Sequence, residues 1–227
     1  MTLSSVLLRR LPLRPRVRRS SRRQRRTCTA IHDANAWGNI ESISGPGSTI
    51  ARSADFQHDL LALLDPLDIR SLLDVPCGDV NWMREVLAAR PLAYTGADIV
   101  EAWIARNTRM RAAAQRRFLC VDMTRGDLPR ADLILRRDGL VQLSFADARA
   151  ALRNFRRRQP RFLLTTTFIN RRQNRNVATG GWRTLNLEAA PFRLSPPLAV
   201  IDERCVHSEG IYRDKRLGLW RRETIDV

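Results

Sequence analysis

Four aspartates stand where side chains could do chemistry. Asp74 lies at the end of SLLDV, Asp79 closes the PCGD turn that follows, Asp98 lies near the end of LAYTGADI, and Asp122 closes RFLCVD. A carboxylate at a strand end accepts hydrogen bonds from hydroxyl and amino groups and attracts cations. One such acid alone is more often a cap or turn residue than a ligand. Acids after three successive strands, with a glycine turn after the first, form a much more specific pattern. The turn itself argues against phosphate. Gly78 is its one glycine, and Pro76 offers no N–H to a pyrophosphate. No GxxxxGK(S/T) loop occurs either. The ligand that fits carries a ribose and an adenine without phosphate. Asp98 would accept from both ribose hydroxyls and Asp122 from the adenine amino group, with Met123 on the ring. Asp74 and Asp79 would face an ammonium or sulfonium.

The remaining reactive side chains are scattered. Cys28, Cys77, Cys120 and Cys205 form no CxxC pair, and His32, His58 and His207 are isolated, so no zinc or disulfide framework is expected. A reducing cytoplasm fits this cysteine usage. The position of Cys77 in the turn argues for close packing rather than a nucleophile.

The framework that must hold these acids is legible in the hydrophobic pattern. Strands are expected at Ser71–Val75, Leu92–Ile99, Arg117–Asp122, Ala131–Leu135 and Arg161–Phe168. Helices are expected at Ala54–Leu64, Trp82–Ala89, Glu101–Arg116 and Ala146–Arg157. This alternation is the signature of an α/β fold with a mostly parallel sheet, whose ligands bind beyond the carboxyl ends of the strands. The polar stretch Trp37–Thr49 reads as a loop, and Asn170–Pro197 as a long excursion. Ala199–Glu203 and Leu217–Arg222 read as closing strands.

Composition sets the outer bounds. The chain has 227 residues, 44% hydrophobic and 28% charged, which suits one soluble domain with an appendage. No apolar run approaches the length of a membrane span. The formal charge is +17, but residues 1–26 contain ten arginines and no acid, so more than half of it sits at one end. Residues 1–34 are therefore expected to be a disordered basic arm and 35–227 the domain. Nucleic acid is an option only through that arm, which otherwise reads as an extension with no specific role. Lys215 is the chain's single lysine. Nothing in the sequence sets the oligomeric state.

The residues from about Trp37 to Trp220 resemble the class I S-adenosylmethionine-dependent methyltransferases. LLDVPCGDVNWM is similar to their first motif in an LDxPCGD form, YTGADI to the second, FLCVDM to the third, and ADLILRRDGLVQLSFADARAALRNF to the fourth strand and following helix. RFLLTTTF and NRNVATGGWRTLNL resemble a bacterial subgroup. The resemblance implies a Rossmann-like fold with helices on both faces of the sheet and S-adenosylmethionine as cofactor. The implied cofactor residues are Asp74, Pro76, Cys77, Gly78, Asp79, Asp98, Ile99, Asp122, Met123, Arg136 and Arg137. Asp138 is the best-placed acid for a general base, and Asn174, Trp182 and Arg183 fall where the fold builds its acceptor pocket. Oxygen, nitrogen and carbon acceptors all remain open. Arg136, expected at the methionine end of the cofactor, and Gln142, where a histidine is usual, favour an alternative: a methyltransferase-like binding protein that no longer turns over.

Overall fold

The computed structural model describes residues 19–205 and 210–227. Seven strands form one sheet: β1 (Ser71–Asp74), β2 (Ala93–Asp98), β3 (Arg116–Cys120), β4 (Leu133–Arg136), β5 (Phe162–Phe168), β6 (Ala199–Asp202) and β7 (Lys215–Arg221). Their order is β3-β2-β1-β4-β5-β7-β6. All pairings are parallel except those of β7, which runs antiparallel between β5 and β6. This is the Rossmann-like α/β fold that the sequence predicts, and each expected strand is found within two residues of its predicted ends.

The helices are α1 (Arg19–Asp33), α2 (Ile50–Leu64), α3 (Met83–Ala89), α4 (Glu101–Arg111) and α5 (Phe145–Arg157). A right-handed crossover places its helix on a face set by the direction in which the strand order advances. The order runs outward from β1 to β3, then restarts at β4 on the other side of β1. The helices divide accordingly. Phe56, Leu60 and Leu64 of α2 and Met83, Val86 and Leu87 of α3 share one core with Leu72, Leu133, Leu164 and Leu219. Ala148, Ala151, Leu152 and Phe155 of α5 pack on the opposite face with Leu73, Ile134, Leu163 and Trp220. The excursion after β5 adds Leu185, Leu187, Phe192 and Leu194 to that second core.

Two expectations fail. The helix predicted to run to Arg116 stops at Arg111, because the edge strand begins to pair at Tyr94↔Arg116 and needs extended chain. Pairing overrides the helix propensity of Ala112, Ala113 and Ala114. The disordered arm fails over its second part. From Arg19 to Asp33 the chain is helical, and Gln24, Cys28, Ile31 and His32 of that helix line the principal cavity. The His32 ring meets Trp103 edge-on at 4.5 Å. Composition hid this helix because its apolar residues are few and embedded among arginines. Residues 1–18, the rest of the arm, lie outside the described residues.

Candidate active site

Between β1 and β4 the strand order reverses, which opens a crevice beyond their carboxyl ends. A cavity of about 510 Å³ occupies it, within the size range of small-molecule sites. Asp74, Pro76, Cys77, Gly78 and Asp79 of the first turn line it, as do Asp98, Ile99, Met123, Arg137, Asp138 and Trp182. Asp122, Arg136, Asn174 and Arg183 do not line it.

The first turn is built by backbone geometry. Gly78 has φ +53°, and a Cβ there would collide with Ser44 Oγ, so the left-handed conformation and the close approach both require glycine. Val80 adopts φ 57°, unfavourable for a β-branched residue, and its side chain is buried in the core. Asp79 is pinned rather than presented. Its Oδ2 accepts from Ser42 Oγ at 2.8 Å and its Oδ1 from Ser44 Oγ at 2.9 Å. Ser42 and Ser44 belong to the polar loop before α2, so Asp79 ties that loop over the turn.

Asp98 sits at the floor, 4% exposed. Its Oδ2 accepts from Gly78 N at 3.1 Å and its Oδ1 from Val100 N at 3.0 Å. Burial raises its pKa, and the backbone N–H groups of Val100 and Gly78 pull against that rise. Asp98 is thus buried at its strand end and braces the turn. Asp74 accepts from Tyr94 Oη at 2.9 Å. Burial pushes its pKa up to about 7, against the Tyr94 hydrogen bond and with the help of nearby Asp98. Cys77 is buried, its thiol raised well above the ordinary range by that burial. Packing, not nucleophilic reactivity, is its role. Asn107 holds the turn from α4 by donating to Gly78 O at 2.7 Å.

Asp122 and Met123 part company. Met123 reaches the cavity, whereas Asp122 Oδ1 accepts from Thr124 N at 2.8 Å and Thr124 Oγ1 at 2.6 Å. Arg136 was expected to crowd the cofactor's methionine end. Instead it is fully buried on the α5 side of the sheet, 5.8 Å from the Phe155 ring centroid and packed under Gly139. Its Nε, Nη1 and Nη2 have no hydrogen-bond partner among the described residues. Burial lowers its pKa to about 9, with Asp98 the leading opposing charge.

The other end of the cavity is built by β4, β7 and the segment after β6. Asp138 follows β4 with φ 55°, a left-handed turn that aspartate tolerates. Thr166 Oγ1 holds this turn by accepting from Asp138 N at 2.8 Å. Lys215 Nζ donates to Asp138 Oδ2 at 2.6 Å and lies 3.2 Å from Glu203 Oε2. Arg137 donates to the same Glu203 oxygen from Nε at 3.0 Å and Nη2 at 2.6 Å, and lies over the Phe56 and Trp82 rings. Burial alone would raise Asp138, but Lys215 and Arg137 outweigh it and hold the carboxyl low. Burial likewise opposes charge on Lys215, and Asp138 and Glu203 overcome it and raise the ammonium. Arg137, a cofactor candidate of the sequence, lines the cavity while its guanidinium is held by Glu203.

The excursion contributes one wall. Trp182 meets Tyr212 at 5.0 Å and Phe168 at 6.1 Å between ring centroids, and Phe168 meets Tyr212 at 6.0 Å. Asn174 braces the excursion, donating to Asn186 O at 2.7 Å and Ala190 O at 2.8 Å. Arg183 is buried, donates to Val141 O at 3.0 Å and covers the Phe145 ring at 5.1 Å. Both are structural, so of the three acceptor-pocket candidates only Trp182 reaches the cavity. Sequence reasoning missed Ser42, Ser44, Tyr94, Glu203, Tyr212 and Lys215. Of these only Lys215 carried a signal, as the lone lysine.

No protein-family model and no curated protein matches the chain. Its fold is similar to that of solved methyltransferases. The human N-acetylserotonin methyltransferase in complex with SAM aligns over 74% of this chain and 52% of its own, with TM-score 0.56 and 13% identity. PigF with SAH aligns over 74% and 55%, with TM-score 0.54 and 16% identity. The methyltransferase domain of bacterial CtHen1 aligns over 74% and 98%, with TM-score 0.55 and 13% identity. The chain thus spans about half the length of the first two. At these identities the likeness establishes the shared α/β fold. Among the described residues no helix is long and apolar enough to cross a membrane.

Proposed function

We propose that the chain is an S-adenosylmethionine-dependent methyltransferase, of a subgroup with an LDxPCGD first motif, acting on an acceptor that enters beside Trp182. The observation that carries this reading is the pair Asp74 and Asp98, buried side by side at the strand-order reversal with no ion-pair partner among the described residues. They call for a ligand that brings hydrogen-bond donors and positive charge. Three acids on the first two strand ends repel a dinucleotide's phosphates, and Pro76 withholds an N–H. An adenosine bearing a sulfonium and an ammonium satisfies both demands. Asp98 would hold ribose hydroxyls, Asp74 would face the cationic end, Gly78 would allow close approach, and Ile99 and Met123 would flank the adenine.

When bound, the cofactor supplies an electrophilic methyl group. The chain's own contribution is proximity and alignment and exclusion of water by α1 and the loop before α2. Asp138 would take a proton from the acceptor. The alternative of a non-catalytic binder rests on Arg136 and Gln142; Arg136 does not line the cavity, whereas Gln142 does. Titration calorimetry tests the reading. S-adenosylmethionine should bind in the micromolar range, roughly −8 kcal/mol, and nicotinamide dinucleotides should not bind. Tight dinucleotide binding with no response to S-adenosylmethionine overturns it.

A further inference from the structure

Of 40 lysines and arginines in this chain one is lysine, and it is Lys215. It is 8% exposed, ends on the cavity, and sits between two carboxylates. Elsewhere the chain meets a buried carboxylate with arginine, as Arg137 does with Glu203. A guanidinium is a rigid planar fork, whereas an ammonium is a compact charge with three rotatable donors. Lys215 uses two of those directions on Asp138 and Glu203 and has a third to offer. Asp138 Oδ2 is taken by Lys215, and among the described residues no hydrogen bond engages its Oδ1. The Phe168, Trp182 and Tyr212 rings, each edge-on to the other two, line the same cavity, and Phe168 is the cross-strand neighbour of Lys215. One end of the cavity therefore combines an aromatic cluster with a carboxylate and an ammonium held 2.6 Å apart.

We propose that this end of the cavity takes a phenol: a planar aromatic acceptor whose hydroxyl is placed against Asp138 and Lys215. The proposal rests on the methyltransferase reading and specifies its acceptor. Three arguments select the class. Rings stack or meet edge-on with aromatic partners, so the wall fits a flat aromatic body. Arg137 and Lys215 balance Asp138 and Glu203, so no surplus carboxylate attracts a cationic amine, and a neutral aniline N–H is too weak an acid to gain from the adjacent ammonium. Asp138 is held ionised and weakly basic, so it suits a hydroxyl whose own acidity is within reach. A phenol titrates near 10, and an adjacent ammonium lowers that further, whereas an aliphatic alcohol remains far too weak an acid. In the step, the phenol O–H proton passes to Asp138 Oδ1. The oxygen lone pair forms a bond to the methyl carbon as the carbon–sulfur bond breaks. The bonding pair returns to sulfur, leaving a neutral thioether. Lys215 is the positioning residue: it orients Asp138 and stabilises the developing phenolate.

The test uses the full chain with S-adenosylmethionine and three probe sets: para-nitrophenol, para-cyanophenol and para-cresol; the matching anilines; and the matching benzyl alcohols. Calorimetry reads binding of each probe independently of turnover. Phenols should bind and be methylated, anilines and benzyl alcohols should not be. Trp182→Ala, at a half-exposed site, should weaken phenol binding about fivefold to tenfold while cofactor affinity stays unchanged. Lys215→Arg should lower kcat/KM by about 100-fold for cresol and by much less for nitrophenol, because the more acidic phenol needs the ammonium less. A loss equal across all three phenols would assign Lys215 a merely structural role. Normal cofactor binding with methylation of anilines or benzyl alcohols, or with no phenol binding, overturns the acceptor assignment alone. Failure of S-adenosylmethionine to bind overturns the reading beneath it.

Discussion

At the β1–β2 end of the cavity, Asp74 and Asp98 are buried with neutral donors: Tyr94 Oη on one, the Gly78 and Val100 amides on the other. At the β4–β7 end, Glu203 is equally enclosed and Asp138 partly exposed, and both lie against Arg137 and Lys215. The consequence is opposite in sign. Desolvation wins at the first end and lifts both carboxyls; cations win at the second and hold Asp138 low. The first end has charge capacity unspent and gains when a cation and donors arrive. The second is compensated internally and presents a polar but neutral surface, which selects by shape and acidity. One cavity thus joins a demand for positive charge to a site whose charges are already balanced.

The comparison breaks most drastically at Glu203. Its Oε2 receives both Arg137 and Lys215, and its side chain has no exposed surface. Glu203→Gln leaves two buried cations facing Asp138 alone. Removing one partner of a buried pair costs about 3–5 kcal/mol, so the denaturation midpoint should fall steeply, read by urea titration. A drop within ordinary surface values would mean that water already screens this cluster.

The unequal legibility of the two ends has a physical origin. Asp74, Gly78 and Asp98 act within one βα unit, so their spacing is a property of local sequence, and the pattern of strands ending in acids exposes them. Arg137, Glu203 and Lys215 are assembled by β7 inserting antiparallel beside β5, a long-range event that no spacing records. The same holds for the three threonines of β5. They read as β-branched strand residues, yet Thr165 donates to Arg136 O at 3.0 Å, while Thr166 and Thr167 accept from Asp138 N and Leu187 N. Asn174 and Arg183 misled for the converse reason. Polar residues in a long excursion suggest a ligand, but here they satisfy the excursion's own carbonyls. Helix α1 was invisible because arginine dominated its composition.

Asp98→Ala tests the first end. Charge-assisted hydrogen bonds contribute about 1.5–3 kcal/mol each, so S-adenosylmethionine affinity should fall about ten- to a few hundred-fold. The protein without cofactor should suffer too. The Gly78 and Val100 amides would lose their acceptor, a loss of about 1–3 kcal/mol each when buried. Asp98→Asn keeps an acceptor for Val100 but turns a donor toward the Gly78 amide, or the reverse. It should therefore bind nearly as poorly as the alanine variant. Parental affinity in both variants would reduce Asp98 to a turn residue.

The mildest effect belongs to Asp74 and is a matter of pH. Its folded pKa of about 7 lies above the ordinary value near 3.9. In that window the folded chain binds more protons than the unfolded one, so this group's contribution to stability declines as pH rises from about 4 to 7. Cofactor binding should run the other way. A cationic ligand favours the carboxylate, so the proton that Asp74 holds near neutrality must leave when the ligand arrives. Affinity for S-adenosylmethionine should therefore rise through pH 6 to 8, by at most about tenfold per unit, and then level off. The released proton is measurable as a difference in binding heat between phosphate and Tris buffers. Tyr94→Phe removes the hydrogen bond that favours the ionised form and should move the midpoint upward. Asp74→Asn should erase both the slope and the proton release. An affinity flat across this range in the parent protein would show that Asp74 does not meet the cationic end, and the two ends of the cavity would then differ less than their buried charges suggest.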